Sequence, residues 1–292
     1  MLISDEEKLK KLEKISERVR DSELSSIRNV TSGIVKIIND SKSNARDLKA
    51  IIEIDPPLTA KVLRTANSAY YYSRRQISDI EEAVIWIGFD NLKEIALSQK
   101  VCEIFQKNDD FMEYSRTRLW KHCIAVGLLA KMIYRMEFGE SGENIYAAGL
   151  LHDIGIIVED QFYEEEFKQV LHDYQIDKST LHTAESKFWG YDHADIGQAV
   201  ASSWQLPEDL MISIGFHHNF EEVPPDYMRM ATTLALADNL CHESGFGYRK
   251  FFVQKGLTRR LLDILEIKKY AMDMIMDGMK KEIKRMEGQG IL

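Results

Sequence analysis

In the run Leu150-Leu151-His152-Asp153-Ile154-Gly155, an imidazole and a carboxylate stand side by side among apolar neighbours. Such a pair can grip cations from two directions, because imidazole is a borderline-soft donor and a carboxylate can bridge two ions. The flanking residues imply burial, where a carboxylate without a counter-charge is costly. Alone, the pair reads equally well as a salt bridge. Residues of the same chemical type recur along the chain. His122 falls on the helical stripe His122, Val126, Leu129, Ile133, otherwise a core face. His193 follows Asp192, a good N-cap, and Asp195 is placed to neutralise the first turn, so His193 stands at a helix start. His217-His218 closes a helix with Pro207 in its first turn, where the terminal carbonyls favour a cation. Asp238 lies on the stripe Met230, Leu234, Ala237, Asp238, Cys241, and an acid there needs a buried counter-charge that a metal supplies. Each has a bland alternative: a hydrogen-bonded core histidine, a capping or paired aspartate. Together, inward donors of one class on separate helices point to a shared metal site. His172, His182 and His242 sit among polar neighbours and are assigned to the surface. Cys123 adjoins His122, but neighbouring helical positions point about 100° apart, so it is read as core.

The elements that must position these residues are helical. Helix formers dominate, and only five prolines and sixteen glycines punctuate 292 residues. Ile34, Ile37 and Ile38 form one apolar stripe, Leu48, Ile51 and Ile52 the next, and Leu58, Val62, Leu63 and Ala66 a third after the break at Asp55-Pro56-Pro57. A tyrosine-rich turn follows at Ala69–Ser73, then an apolar helix around Ala83–Ile87 that Gly88 ends. The polar Lys107-Asn108-Asp109-Asp110 marks a joint, and the boundary between two lobes is placed near residues 107–116. The expected architecture is all-α: a charged arm over 1–23 (a marginal helix or a segment that packs on a partner), a helical lobe over 24–110, a metal-binding lobe over 111–245 and a helical extension over 246–292. Leu261, Leu265, Ala271 and Ile275 are its inward positions, and Met272, Met274, Met276 and Met279 are read as adaptable core or interface, not a cofactor box.

A net charge of −9 disfavours binding to nucleic acid, which needs a basic surface to release counterions. The start MLISDEEKLKKLEK is charged, unlike a signal peptide, and no apolar run is long enough for a membrane span. Cys102, Cys123 and Cys241 are odd in number and widely spaced, as expected of free thiols in a reducing cytoplasm.

With these residues located, the sequence resembles the HD superfamily of metal-dependent phosphohydrolases, and more closely its HDOD branch, the HD-related output domain of bacterial signalling. The resemblance covers about residues 24–245. It rests on Ile54-Asp55-Pro56-Pro57-Leu58-Thr59, Ala66-Asn67-Ser68-Ala69, and the stretch Ile77 to Gly88. It continues in Leu119-Trp120-Lys121-His122, Gly149 to Gly155, Gly190 to Gly197, Trp204-Gln205-Leu206-Pro207 and His217-His218. It implies one metal held by His122, His152, Asp153 and Asp238, and a second held by His193, His217 and His218 with Asp153 bridging. Mixed imidazole and carboxylate ligands suit iron, manganese, zinc or nickel, the first two favoured. If the centre is catalytic, His152 and Asp153 carry it.

The chain departs from its relatives in three places. Phosphodiesterases of this superfamily that cleave cyclic dinucleotides carry a lysine where Ile156 stands, and a glycine-tyrosine-proline signature absent from Asn219 to Pro225. Another dinuclear pattern has a glutamate where Arg118 stands. Cyclic di-GMP hydrolysis is therefore not expected. The favoured function is a metal-binding regulator acting through a signalling protein partner or a phosphate-containing ligand; the alternative is a phosphohydrolase of some other phosphate ester. Cations in the metal pocket would favour the alternative, and Arg118, Lys121 and Lys187 are the candidates nearby in sequence.

Overall fold

The computed structural model describes residues 4–68, 71, 76–106, 110–112, 114–248, 254 and 256–288. Most of the tyrosine-rich turn (69, 70, 72 and 73) and residues 107–109 of the polar joint lie outside the described residues. Helices fill the described chain in the order α1 (Asp5–Arg20), α2 (Leu24–Asn39), α3 (Ala45–Glu53), α4 (Pro56–Ala66), α5 (Ile80–Ile87), α6 (Phe89–Val101), α7 (Arg116–Ile133), α8 (Glu143–Leu151), α9 (Ile154–Phe162), α10 (Glu164–Asp177), α11 (Leu181–Trp189), α12 (His193–Ser203), α13 (Glu208–Phe216), α14 (Met228–Glu243), α15 (Leu257–Ile264) and α16 (Lys269–Gly288). Among the described residues no strand forms beyond an isolated bridge between Phe111 and Tyr114, so the protein is all-α.

Local chemistry sets the helix starts. Asn44 and Asp47 close a capping box at α3, and Asp55 caps α4 by accepting from the Leu58 N–H at 3.0 Å, with Pro56 in the first turn. Gly88, at φ 92°, joins α5 to α6 in a conformation that other residues rarely adopt. Helices α2 to α6 enclose the apolar stripes read from the sequence, with Ile34, Leu48, Ile52, Leu58 and Val62 fully buried.

In the second lobe α7 lies against α8, α14 and α16, and α12 against α9 and α13. A Cβ on Gly149 would stand 2.5 Å from the Gly127 Cα, so α7 and α8 approach this closely only because both positions are glycine. The lobes are joined by buried ion pairs: Lys93 Nζ to Glu143 at 2.6 Å and a short Lys131–Glu94 contact. Ser32 also donates to the Trp204 carbonyl at 2.8 Å.

Three positions differ from the sequence reading. Helix α1 seats on this chain's own α12, burying Ile15 and Val19 and pairing Lys8 with Asp195 at 2.8 Å. In α16 Met272, Met276 and Met279 are buried with Ile275, whereas Met274 is 64% exposed and Ala271 only half-buried. The inward stripe therefore runs one residue later than expected at its start. Pro207 is the N-cap of α13, one place before the first turn. Among the described residues no helix is long and apolar enough to cross a membrane.

Candidate metal centre

Where α8 ends and α9 begins, the chain turns on two residues. His152 closes α8 and Asp153 opens α9, so the adjacent side chains face a common centre despite being neighbours in sequence. A Cβ on Gly155 would lie 2.0 Å from the His193 carbonyl oxygen, and the missing side chain lets the start of α12 press against α9. His193 is the first residue of α12, held there by an Asp192–Asp195 capping box. His217 is the C-cap of α13, and His218 follows it. His122 comes from the middle of α7 and Asp238 from α14.

The seven residues singled out from the sequence converge. Asp153 is central, and its two oxygens face opposite ways. Oδ2 lies 3.3 Å from His152 Nε2 and 3.7 Å from His122 Nε2, whereas Oδ1 lies 3.3 Å from His193 Nε2 and 3.8 Å from His217 Nε2. Asp238 Oδ1 completes the first group, 3.0 Å from His122 Nε2 and 3.8 Å from His152 Nε2. His218 Nε2 completes the second, 2.8 Å from His193 Nε2. Two donors each about 2.1 Å from one ion stand roughly 3.0–3.4 Å apart at an octahedral or tetrahedral edge; the His152–Asp153, His193–Asp153 and His122–Asp238 spacings fall in that range, and the others lie within about 0.4 Å of it.

The opposite edge of each ring fixes its orientation. Nδ1 of His122 faces the Phe246 carbonyl at 2.9 Å, that of His152 the Gly149 carbonyl at 2.8 Å, and that of His217 the Ile214 carbonyl at 2.7 Å. A carbonyl only accepts, so these Nδ1 atoms donate, which turns each Nε2 inward. His193 Nδ1 makes the equivalent bond to Glu185 Oε2 at 2.6 Å, and its backbone N–H donates to the same oxygen at 3.0 Å. On the inner side, His122 Nε2, His152 Nε2, His217 Nε2, Asp153 Oδ2 and Asp238 Oδ1 are buried with no hydrogen-bond partner. Buried polar atoms are rarely left so, and one ion in each group would satisfy all five.

Electrostatics act on the donors in two directions. Burial works against charge on the His152 and His193 rings, yet Asp153 beside the first and Glu185 beside the second raise both well above the ordinary imidazole value. An ion bound there would displace a proton from each. Burial works against the charge on Asp153 and Asp238, yet the imidazoles beside them (His152 foremost for Asp153, His242 for Asp238) hold both carboxyls well below the usual range. Burial pushes His217 down to about 4, with His152 and His193 adding to the effect, so its ring is neutral. His218 is likewise held well below its ordinary value by burial and then by His217. Ionised carboxylates and neutral imidazoles are the forms that ligate.

Sequence reasoning missed other participants. His242, assigned to the surface, is buried, with Nε2 3.4 Å from Asp238 Oδ1 and its ring 4.4 Å from that of His122. Of its polar neighbours, Asn239 is itself buried and only Glu243 is exposed; its spacing of four from Asp238 was the available signal. His182, also assigned to the surface, is half-buried and stacks on His218 at 4.2 Å. His172 is exposed as expected. Glu185 and Glu159 are buried carboxylates behind His193, and burial together with Glu185 raises the Glu159 carboxyl well above its ordinary value. Cys123 is fully buried, its thiol pushed up to about 11 by burial, which disfavours a thiolate.

A cavity of about 210 Å³ opens onto the centre, with His217, His218, Asp238 and His242 in its lining. The cations proposed from the sequence do not line it: Arg118 is exposed, Lys121 pairs with Glu287 at 2.9 Å, and Lys187 pairs with Asp177 at 2.8 Å. Arg260 of α15 does. Ile156 is fully buried in the core.

A family model for the HDOD domain matches residues 24–220. An uncharacterised protein of Treponema pallidum (strain Nichols) is 28% identical over 207 residues, covering 70% of this chain and 39% of that protein. The chain thus spans about two fifths of that relative's length. The crystal structure of an HDOD domain protein of unknown function from Geobacter sulfurreducens superposes with a TM-score of 0.75 at 28% identity, covering 88% of this chain and 90% of that one. A protein from Shewanella amazonensis SB2B, described as a candidate phosphohydrolase, superposes with a TM-score of 0.65 at 21% identity over 90% of each chain, a likeness of fold.

Proposed function

The chain belongs to the HDOD domain family, and from that premise we propose that it is a metal-bearing signalling module. In this reading His122, His152, Asp153 and Asp238 hold one divalent transition ion, and His193, His217 and His218 hold a second, with Asp153 shared. His242 stands beside Asp238 as a further donor to the first. The observation that carries the reading is the set of five buried, unpartnered donor atoms aimed at one another, on rings whose outer nitrogens are tied down. Donors of this mixed kind suit iron or manganese, with zinc or nickel as alternatives. When bound, such ions neutralise the buried carboxylates, polarise a ligand's phosphoryl oxygens and acidify water. The protein's own part is to orient the imidazoles through the Phe246, Gly149 and Ile214 carbonyls and Glu185. Output passes to a signalling protein partner.

Two features support regulation over cyclic-dinucleotide hydrolysis. Ile156 is packed into the core where those hydrolases have a lysine. The cavity, at about 210 Å³, is also smaller than the roughly 300–1,000 Å³ of sites that enclose drug-sized ligands. One observation favours the second reading, a phosphohydrolase of another phosphate ester: the cavity leads from solvent to the centre. The test is elemental analysis of the purified protein, combined with turnover of cyclic di-GMP and generic phosphodiesters by the iron- or manganese-loaded form, with His152→Ala as control. The proposal expects bound metal and no useful turnover of cyclic di-GMP. Metal-dependent turnover of a phosphodiester near one per second, lost in His152→Ala, would replace the regulator with an enzyme.

A further inference from the structure

The metal centre is short of positive side chains. Asp153, Asp238, Glu159 and Glu185 are all buried around it, and of the described residues lining its cavity only Arg260 is a lysine or arginine. Arg260 lies beyond the residues that the family model matches, on α15. That helix is well placed. Leu261 and Leu262 are buried beneath it. The Asn239 side chain, next to Asp238, donates to Thr258 Oγ1 at 2.7 Å, and Thr258 in turn donates to Glu243 at 3.1 Å. The first turn of α15 is thus tied to the stretch of α14 that carries Asp238 and His242, and Arg260 follows two residues on.

The Arg260 guanidinium pairs with Glu221 and sits 5.9 Å from the Phe220 ring centre. Both members of the ion pair are more than half exposed at the side chain. Exposed pairs of this kind are weak, so a dianion also facing metal ions can displace the glutamate. A guanidinium presents parallel N–H groups that match two phosphate oxygens.

We propose that Arg260 is the anion-holding residue of this cavity: the phosphate group of a small ligand is held between the metal centre and the Arg260 guanidinium, replacing Glu221 as its partner. The proposal rests on the metal-centre reading and names the ligand class that it admits. At about 210 Å³ the cavity has room for the phosphoryl end of such a ligand.

The test titrates inorganic phosphate into the full-length, manganese-loaded protein by calorimetry, with metal content and thermal unfolding measured on every sample. Wild type binds phosphate. Arg260→Ala weakens that binding about tenfold or more at unchanged metal content, and Arg260→Lys weakens it less, keeping the charge but not the two-pronged contact. Glu221→Gln tightens it, because the internal competitor has lost its charge, an effect that a merely structural pair would not give. Equal phosphate affinity in wild type and Arg260→Ala at full metal content overturns the proposal, as does absence of phosphate binding to the metal-loaded wild type. A preparation that holds no metal sinks the metal-centre reading separately. Phosphate binding that still falls in Arg260→Ala would then retain the arginine site, and binding indifferent to Arg260 would end it.

Discussion

The four buried cations among the described residues, Lys93, Lys100, Arg116 and Lys131, each have a carboxylate: Glu143 for Lys93, Asp55 and Glu103 for Lys100, Asp160 for Arg116 and Glu94 for Lys131. These pairs lie in the first lobe and along its seam with the second. Around Asp153 and Asp238, by contrast, the buried carboxylates face only imidazoles, and donor atoms on both sides lack partners. One region completes its charge balance with the chain's own side chains. The other leaves room for a cation from outside. Breaking a buried pair costs stability because a charge is left without its partner, so the first region behaves as scaffold and the second as a receptor for ions.

The largest separation of the two regions is expected from Asp153→Ala. It removes the carboxylate that faces both groups of imidazoles, so metal content should fall below one tenth of wild type by elemental analysis, while the helical circular dichroism is kept. Full metal content in that variant would place the ions elsewhere.

A smaller effect is expected from Glu185→Gln, which leaves the ligands intact but weakens the charge-assisted bond that orients His193. Outer partners of this kind are typically worth about 10–100-fold in metal affinity. The loss should fall on one of two ions in a competition titration with a chelator, and equal loss of both would contradict the division of labour across Asp153.

The smallest effect belongs to the scaffold. Asp55→Asn keeps the cap of α4 and removes the charge facing Lys100, at a cost of about 1–2 kcal/mol in unfolding free energy with metal content unchanged. Its pH dependence follows from the shifts. Burial opposes the Asp55 charge, but the hydrogen bond from Lys100 holds its carboxyl below the ordinary 3.8. A depressed carboxyl stabilises above its unfolded value and loses that contribution as pH falls through the folded one. Lys100 is raised above 10.5: burial works against its charge, and the bonds to Asp55 and Glu103 outweigh it. Its contribution is present below that value and lost as pH rises through the folded one. The gap between wild type and Asp55→Asn should therefore be flat from about pH 5 to 10 and close below about pH 4. A gap that stays undiminished as pH falls well below 3.8 would mean that the pair is not its origin.

How legible the molecule was depended on how local each signal is. The all-α class followed from apolar stripes such as Ile34-Ile37 and Leu58-Val62, because a helix face is written at fixed spacing. His193 was placed at a helix start by Asp192 and Asp195, whose capping box is also local. His242 and His182 were misassigned because exposure was inferred from neighbours in sequence, whereas α14, which carries His242, is buried on nearly every face, and His182, on α11, is covered by the ring of His218. Glu185 and Glu159 carried no signal at all, since their role comes from contacts between α9, α11 and α12. Arg260 was out of reach for the same reason: it meets the cavity through the packing of α15 on α14.

The central claim, that the second region is completed by ions on either side of Asp153, is tested most directly by anomalous diffraction at the manganese or iron absorption edge, using crystals of the metal-loaded protein. The account predicts two peaks, one among His122, His152, Asp153 and Asp238, the other among Asp153, His193, His217 and His218, with Asp153 between them. Well-ordered density for these seven side chains with no anomalous peak, or peaks only at the protein surface, would contradict it.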